Sequence, residues 1–351
     1  MKLKNIYVLC PAGLKSGGAD ALHQLVYYLN RQNVCAKIVY TKGPYTNNDF
    51  SIPERYKTYV EDFLLEQDIV DSPENAVVIT ESFTKMRNQF ENVKIYIWWL
   101  GINDNLTYGF LKKSIFLATL PVRMLTRWSC YKNRTFAIVK SVLNKEIYSF
   151  SKELSRVTHL CASYNAYNYV SNRSRNMVLL CIEPISKKFL DVYEHEKNHI
   201  VFLEKKDVVL YNPARNYTSI INKLSDYSAD LKFEPLQGLN QQQLIEKYKT
   251  AKLYVDFGSF PGAERIPKEA VLFGCAIITG KRGASGYHGD VPIPEEYKFG
   301  DPENQIEEIA EKIRLVLKNY QQIYSDFDEY RNTVLNLEEN FIKSLKEIFL
   351  Q

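Results

Sequence analysis

The sequence predicts an α/β protein with two doubly wound domains, each built around a parallel sheet. Short apolar runs typical of buried strands alternate along the chain with segments whose apolar residues have helical spacing. Glycine-rich loops follow several of these strands, and such loops are where open α/β sheets bind ligands. The length of 351 residues suits two domains of ordinary size.

The first domain is predicted over residues 1–185 and opens with a strand at Ile6–Cys10. This strand leads into a loop that contains Gly17 and Gly18, and a segment with helical apolar spacing follows. The glycine pair either lets a substrate approach the backbone closely or simply makes a tight turn. The other strands of this domain are predicted at Cys35–Tyr40, Ala76–Thr80, Lys94–Leu100, Leu160–Ser163 and Met177–Cys181.

The second domain is predicted over residues 200–330, after a charged, linker-like region at Tyr193–Lys206. Its strands are predicted at Val208–Tyr211, Leu231–Pro235, Leu253–Phe257 and Ala276–Thr279. From Pro302 onward, charged and apolar residues alternate at helical spacing. This pattern predicts two or three helices, the last of them at 331–351.

The composition is that of a globular protein, with 45% hydrophobic and 25% charged residues. A net charge of +4 does not by itself indicate a nucleic-acid partner. The six cysteines show no CxxC spacing, so we expect reduced core residues in the cytoplasm and neither disulfides nor a zinc site. The N-terminal apolar run is too short for a signal peptide, and no run is long enough to predict a membrane-spanning helix.

The region 106–156 is unusually basic and is predicted to be a helical insertion in the first domain. Between residues 110 and 156 ten Lys and Arg residues face only two acidic ones, and aromatic and aliphatic residues are interleaved with them. Basic amphipathic segments of this kind bind anionic membrane surfaces. The alternative is an insertion that packs on the core with solvated charges. Nucleic-acid binding is the weakest interpretation, because no nucleic-acid motif accompanies the charge.

The residues from Leu253 to Gly289 are the most informative stretch for function. They predict a strand, a glycine-rich loop, a helix that starts near Pro267, a second strand and another glycine-rich loop. Four charged residues fall at the start of that helix: Glu264, Arg265, Lys268 and Glu269. A helix N-terminus flanked by cations suits a phosphate, and a carboxylate there can bind ribose hydroxyls. This predicts a nucleotide-diphosphate site, although such charges also simply cap and solvate helices.

The block GAERIPKEAVLFGCAIITGKRGASG resembles the C-terminal signature of GT-B glycosyltransferases related to family 4. In that family a Glu, seven residues and a Glu-Ala pair mark the donor site. Glu269 and Ala270 match the pair, whereas Pro261 stands where the first Glu is expected. The form PGxxRIPxEA…GC…ITGxRG, with the segment WWLGIND at 98–104 followed by Asn105, is most similar to a subgroup of bacterial polysaccharide glycosyltransferases.

The resemblance implies the fold, two Rossmann-like domains that face a central cleft, with the last helix packed back on the first domain. It also implies the roles on the donor side. Arg215, Arg265 and Lys268 would neutralise the donor diphosphate, because the chain has no convincing Asp-x-Asp motif to hold a metal. We therefore expect no metal and no cofactor. The remaining donor-side roles are Glu269 at the ribose, Glu264 at the sugar as a catalytic residue, Gly238 near the base, and Gly283 and Ser285 near the phosphates.

The acceptor side would come from the first domain. Gly17 and Gly18 would line the cleft, and Asp104 and Asn105 would face it just beyond the WWL strand. An inverting enzyme needs a general base, for which Asp104 is the first candidate and Glu81 the second. A retaining enzyme needs no such base, and the residues leave both stereochemistries open.

The function implied is transfer of a sugar from a nucleotide-sugar donor to a glycan acceptor. That acceptor is expected to be lipid-linked, in capsule or O-antigen synthesis, with the enzyme at the cytoplasmic face of an anionic membrane and no nucleic acid as partner. One alternative is a nucleotide-sugar epimerase of the same fold. Another is a non-catalytic, membrane-associated scaffold of a polysaccharide assembly complex, which the missing first Glu favours. A hydrolase is disfavoured because paired catalytic carboxylates are not found.

Overall fold

A computed structural model describes residues 3–42, 50–102, 148–200, 204–215 and 217–350. The described chain forms a seven-stranded sheet followed by a five-stranded sheet, and the strand pairs are parallel. The first sheet contains β1 Asn5–Pro11, β2 Ala36–Thr41, β3 Leu64–Leu65, β4 Asn75–Thr80, β5 Lys94–Trp99, β6 Val157–Cys161 and β7 Val178–Leu180. The second contains β8 Lys206–Tyr211, β9 Phe233–Pro235, β10 Ala251–Asp256, β11 Ala276–Gly280 and β12 Lys298–Phe299. The predicted α/β class with two Rossmann-like domains is confirmed.

Helices connect these strands and complete the C-terminal part of the chain. Their bounds are α1 Gly17–Arg31, α2 Tyr164–Ser171, α3 Lys187–Ile200, α4 Thr218–Tyr227, α5 Gln241–Thr250, α6 Arg265–Leu272, α7 Ile306–Lys318, α8 Tyr320–Ile323, α9 Asp328–Leu335 and α10 Leu337–Phe349. Short 3₁₀ segments lie at Glu54–Tyr56, Glu66–Asp68, Glu81–Gln89, Phe150–Lys152, Pro213–Arg215, Ala284–Gly286, Glu295–Tyr297 and Tyr324–Phe327.

The first sheet has the strand order β3-β2-β1-β4-β5-β6-β7, so the chain reverses direction across the sheet beside β1. Its strands read as nearly continuous apolar runs because both faces are covered. Val8 and Trp98 belong to the core on one face, while Leu9 and Trp99 belong to the core on the other. Such two-sided burial is typical of parallel sheets.

The two tryptophans of β5 show how this strand satisfies its polar atoms inside the core. The indole N–H of Trp98 donates to the carbonyl of Cys181 at 3.0 Å, and that of Trp99 donates to Nδ1 of His159 at 2.9 Å. Each ring therefore fixes β5 against β6 or the segment after β7. The strand end is held rigidly where it delivers Leu100 and Gly101 to the edge of the sheet.

The second sheet has the order β12-β11-β10-β8-β9, with β10 near its centre. The last helix, α10, leaves this domain and lies on the first one. Phe341 contacts Tyr28 and Trp98, and Phe349 contacts Tyr96. Helix α10 thus connects the second domain to the first through aromatic contacts.

Several sequence predictions need correction. The region predicted as a charged linker at Tyr193–Lys206 largely belongs to helix α3. Helix α6 begins at Arg265, so Pro267 is its third residue, where its missing N–H costs no hydrogen bond. Strands β3 and β12 were not predicted, because two residues are too few to show a pattern.

Other predictions fall partly outside the described residues. Most of the basic insertion at 106–156, with Asp104, Asn105 and Cys130, lies in the range 103–147, which is outside them. The other five cysteines are free thiols, and only Cys35 among these is exposed. A helix with the length and apolarity needed to cross a membrane is not found in the described part of the chain.

Candidate active site

Loops at the carboxyl ends of strands in both sheets carry several of the residues predicted for the site. From the first domain, the loop after β1 and the first turn of α1 carry Gly17 and Gly18. A Cβ on Gly17 would lie 3.6 Å from the Arg265 side chain of the other domain, and one on Gly18 would lie 3.2 Å from Leu100. The glycine pair therefore lets two residues lie close against the start of α1.

Arg265 reaches across the cleft to the first domain. Its Nη1 forms an ion pair with Asp20 in the first turn of α1. The Asp20 side chain is almost fully buried, and that of Arg265 is 14% exposed. Although burial opposes the charge of Arg265, the carboxylates of Asp20 and Glu183 raise its pKa, so it remains a cation. Its Nε and Nη2 atoms, which together carry three N–H groups, are buried and have no hydrogen-bond partner among the described residues.

Arg215 is held by the loop that follows β10. Its Nη1 lies 2.9 Å from Glu264, its Nε lies 3.7 Å from Asp256, and its Nη2 donates to the Ser259 carbonyl at 2.5 Å. Asp256 is fixed in turn, because it accepts from the Gly258 amide at 2.9 Å. Glu264 thus acts as a counter-ion that orients Arg215 at the N-terminus of α6.

Glu269 lies one turn further into α6 and is buried. Its Oε2 accepts a hydrogen bond from the Tyr248 hydroxyl at 3.3 Å. Burial raises the pKa of Glu269 to about 7, and Arg265 acts in the opposite direction. A ligand that donates hydrogen bonds to this carboxyl group would favour its ionised form.

The glycine-rich loop after β11 is tied to the loop after β10. Gly283 has a φ of 73°, and a Cβ there would lie 2.1 Å from the Phe260 carbonyl oxygen. The Ala284 amide donates to that same oxygen at 2.8 Å, and the Ser285 hydroxyl donates to the Arg282 carbonyl at 3.0 Å. These groups are thus engaged in joining the two loops. Gly238, with a φ of 69°, lies between β9 and α5, and a Cβ there would meet no atom within 4 Å.

Two carboxyl groups of the first domain face the same region. Glu81 directly follows β4 and accepts from the Leu100 amide at 3.1 Å, and burial raises its pKa to about 7. Glu183 follows β7, is 9% exposed, and has an Oε2 without a partner among the described residues. Burial raises the pKa of Glu183, while Lys268 and Arg265 lower it. Glu183 was predicted only to lie near the end of the first domain, although a position just after a strand is typical of ligand sites in open α/β sheets.

The two domains touch through backbone groups at the rim of the cleft. The Ile102 amide donates to the Pro261 carbonyl at 2.6 Å, and a Cβ on Gly262 would lie 2.1 Å from the Leu100 carbonyl oxygen. Asp290 of the second domain accepts from the amides of Tyr164 and Asn165 at 2.7 and 3.0 Å, at the start of α2. The cleft is therefore closed on this side by direct contact.

Lys268 is placed differently from its neighbours in α6. Its side chain is 3% exposed, and its Nζ has no hydrogen-bond partner among the described residues. It lines a cavity between α6 and the last two helices. Among the described residues, no cluster of three or more His, Cys, Asp or Glu side chains has an arrangement that could hold a metal ion.

No protein-family model matches the sequence, and no curated protein sequence matches it. Solved structures do match its fold. Sucrose-phosphate synthase from Thermosynechococcus elongatus aligns with a TM-score of 0.59 at 12% identity, over 99% of this chain and 98% of its own. The lipopolysaccharide outer core galactosyltransferase WaaB gives a TM-score of 0.53 at 11% identity, over 97% and 99% of the two chains.

A third match is a mutant of S. aureus TarM in complex with fondaparinux, α-GlcNAc-glycerol and UDP. It has a TM-score of 0.51 at 11% identity, over 82% of this chain and 57% of TarM. All three matches share two Rossmann-like domains on either side of a cleft. The chain has the GT-B fold. At these identities the likeness establishes the fold alone, and function must be argued from the site.

Proposed function

We propose that the protein is a glycosyltransferase that moves a sugar from a nucleotide-sugar donor to a glycan acceptor. The observation that carries this proposal is Arg265, a largely buried cation at the N-terminus of α6 that pairs with Asp20 of the other domain. Its Nε and Nη2 carry three N–H groups without a partner among the described residues. A departing nucleoside diphosphate needs such donors, since its negative charge grows as the glycosidic bond breaks. The GT-B fold of WaaB and TarM supports the same class of reaction.

In this proposal Arg265 and Arg215 bind the diphosphate, and Glu269 binds the ribose. Glu264 orients Arg215 and stands nearest the donor sugar, while Gly238, Gly283 and Ser285 complete the donor side. The arginines take the place of a divalent cation, so we expect transfer to continue in EDTA. The matches to the family 4 signature at Glu269 and Ala270 support this assignment.

On the acceptor side, Gly17 and Gly18 line the entry beside α1. Asp104 remains the first candidate for the general base, with Asn105 beside it, and Glu81 the second. A pKa of about 7 suits Glu81 to accept the proton of an acceptor hydroxyl near neutral pH. Asp104→Asn should abolish transfer while nucleotide affinity is kept, and Glu81→Gln should do so instead if Glu81 is the base. Full transfer in both variants would exclude a base at either position and favour a retaining mechanism.

We further propose that the acceptor is a lipid-linked glycan of a surface polysaccharide, used at the cytoplasmic face of a membrane. The basic, aromatic segment at 106–156 supports this, because its composition suits an anionic lipid surface. The protein should co-sediment with phosphatidylglycerol vesicles but not with phosphatidylcholine vesicles. Equal recovery in the supernatant with both lipids would refute the proposal.

Nucleotide binding is the first test of the donor site. Thermal unfolding is measured with UDP, GDP, dTDP and CMP and their common sugars, each with and without EDTA, and UDP comes first because the TarM match contains it. Arg265→Lys keeps a cation beside Asp20 but removes the Nε and Nη2 donors that have no partner in the described chain, so nucleotide affinity should fall at least about tenfold. Arg314→Ala, at an exposed ion pair with Asp230, is the matched control.

Transfer is then separated from the two alternatives by product analysis. Nucleotide release that requires a polyprenyl-linked sugar acceptor supports a transferase. Conversion of the nucleotide sugar alone into an isomer would show an epimerase instead. No nucleotide binding at all would favour a non-catalytic scaffold.

A further inference from the structure

A cavity of about 390 Å³ lies beside the cleft, where the two domains and the last two helices meet. We call it the junction cavity. Its walls include Tyr164 and Ile182 from the first domain, Lys268 and Asp290 from the second, and Tyr330 from α9. The described residues that line it do not include Arg215, Arg265 or Glu269, so its chemistry differs from that of the proposed donor site.

Two buried hydrogen-bond donors in the junction cavity lack partners within the part of the chain that the structure describes. Lys268 is 3% exposed and Tyr330 is 1% exposed. Neither the Nζ of Lys268 nor the hydroxyl of Tyr330 has a hydrogen-bond partner among the described residues. Leaving one such group unsatisfied inside a protein is costly, and two at the same cavity indicate that something else completes them.

The protonation of these two groups decides which ligand fits. Burial raises the pKa of Tyr330 further above its ordinary value, so its O–H remains a donor at working pH. Burial lowers the pKa of Lys268, while the carboxylates of Glu183, Asp290 and Glu264 favour its charged form. A negatively charged ligand beside Nζ would act in the same direction as those carboxylates. The two groups together present hydrogen-bond donors to a single occupant.

The other polar groups of the junction cavity are consistent with such an occupant. The Asp290 carboxylate accepts from the two amides at the start of α2. Lys343 and Glu347 carry opposite charges, both on α10. Hydroxyl-bearing and amide side chains stand beside apolar ones, which suits a small ligand with several hydroxyls. These lining residues are Thr333, Asn340 and Ser344 on the polar side and Leu180, Val334 and Leu337 on the apolar side.

We propose that the junction cavity binds a monosaccharide-sized anion, whose carboxylate or phosphate accepts hydrogen bonds from Lys268 Nζ and the Tyr330 hydroxyl. The cavity volume lies in the range of small-molecule sites. The sugar hydroxyls would bind Thr333, Asn340 and Ser344. A uronic acid and a sugar phosphate share this chemistry, and the experiment distinguishes them.

The test measures binding of three probes to the full chain by calorimetry and thermal unfolding: glucuronate, glucose 6-phosphate and neutral glucose. At least one of the two anions should bind, and glucose should bind at least tenfold more weakly. The tighter of the two anions identifies the preferred acidic group. Lys268→Met and Tyr330→Phe should each weaken anion binding at least tenfold, since each removes one donor and keeps most of the side-chain volume.

Two controls separate this site from the rest of the molecule. Tyr227→Phe, at a half-exposed ring in the second domain, should bind the anion like the wild type. Arg265→Lys should lose nucleotide affinity but keep anion binding, so failure of the donor site and failure of the junction cavity give different results. The proposal is overturned if no anion binds at millimolar concentration, if glucose binds as well as the anions, or if both cavity variants bind like the wild type.

Discussion

Lys205 and Lys268 are both buried lysines of the second domain, yet their surroundings differ completely. The ammonium group of Lys205 donates to the carbonyls of Tyr248, Ala251 and Phe273 at 2.7, 3.1 and 2.8 Å. The ammonium group of Lys268 has no hydrogen-bond partner among the described residues. The first lysine closes the interior of a domain, whereas the second faces a cavity at the junction between domains.

Two glycines show the same contrast between a domain interior and the junction between the domains. A Cβ on Gly283 and one on Gly262 would each lie 2.1 Å from a carbonyl oxygen. For Gly283 that oxygen belongs to Phe260 of the same domain, and for Gly262 it belongs to Leu100 across the cleft. Groups that complete a domain interior should therefore control stability, and groups that meet across the junction should control binding.

Lys205→Met should produce the largest loss of stability. The substitution keeps the length of the side chain but removes the donors shared by three buried carbonyls, so we expect the free energy of unfolding to fall by about 4 kcal/mol. Urea unfolding of the full chain measures this change. A loss below about 1 kcal/mol would show that the carbonyls find other donors and would erase the contrast with Lys268.

Gly283→Ala should come next, at about 3 kcal/mol. The backbone at this position has a φ of 73°, which L side chains rarely adopt, and the new methyl group would overlap the Phe260 carbonyl. Urea unfolding again measures the loss. Gly300→Ala is the matched control, because a Cβ there meets no atom within 4 Å. Equal stability of the two variants would contradict the assignment of the loops to one rigid interior.

Glu269→Gln should change how stability depends on pH. The folded-state pKa of Glu269 is raised from 4.5 to about 7, so between these values the folded chain holds a proton that the unfolded chain has released. Wild-type stability therefore decreases as pH rises from about 4.5 to 7, by an amount on the order of 2 kcal/mol. The amide variant lacks this decrease and should be the more stable protein at pH 8. Parallel stability curves for the two proteins between pH 5 and 8 would be evidence against the raised pKa.

Gly262→Ala should separate binding from stability. Its methyl group would overlap the Leu100 carbonyl only while the two domains are in contact, and its backbone has no left-handed φ to strain. We expect nucleotide affinity to fall about tenfold, or about 1.4 kcal/mol, with less change than this in the free energy of unfolding. Calorimetry with UDP and urea unfolding give the two numbers. A loss of stability as large as that of Gly283→Ala would place Gly262 in a domain interior instead.

The sequence allowed most of the strands to be predicted, but not their order in the sheets, because buried parallel strands are continuous apolar runs and their carboxyl ends mark the site. Arg215, Arg265 and Glu269 were placed at the cleft on this basis. The second half of helix α3, from Tyr193 to Ile200, was predicted as a linker because charged and polar residues predominate there.

The direction of Lys268 was beyond sequence analysis for a geometric reason. Adjacent residues of a helix point about 100° apart, so Lys268 and Glu269 present their side chains in different directions. Which of them faces the cleft depends on how α6 packs against α9, some sixty residues further along the chain. Glu183 was missed for a related reason. Whether the strand before Glu183 ends at the cleft depends on the order of the strands in the sheet.

Lys268→Met should have the smallest effect on stability, and the sign is informative. The substitution removes a buried ammonium group without a hydrogen-bond partner in the described chain, so the desolvation cost disappears while the packing volume is kept. The substitution also removes a positive charge near Glu183, so the pKa of Glu183 would rise further. We expect the free energy of unfolding to change by less than about 1 kcal/mol, or to increase. A loss as large as that of Lys205→Met would mean that the lysine supports the fold, and the junction cavity would then have no donor to spare for a ligand.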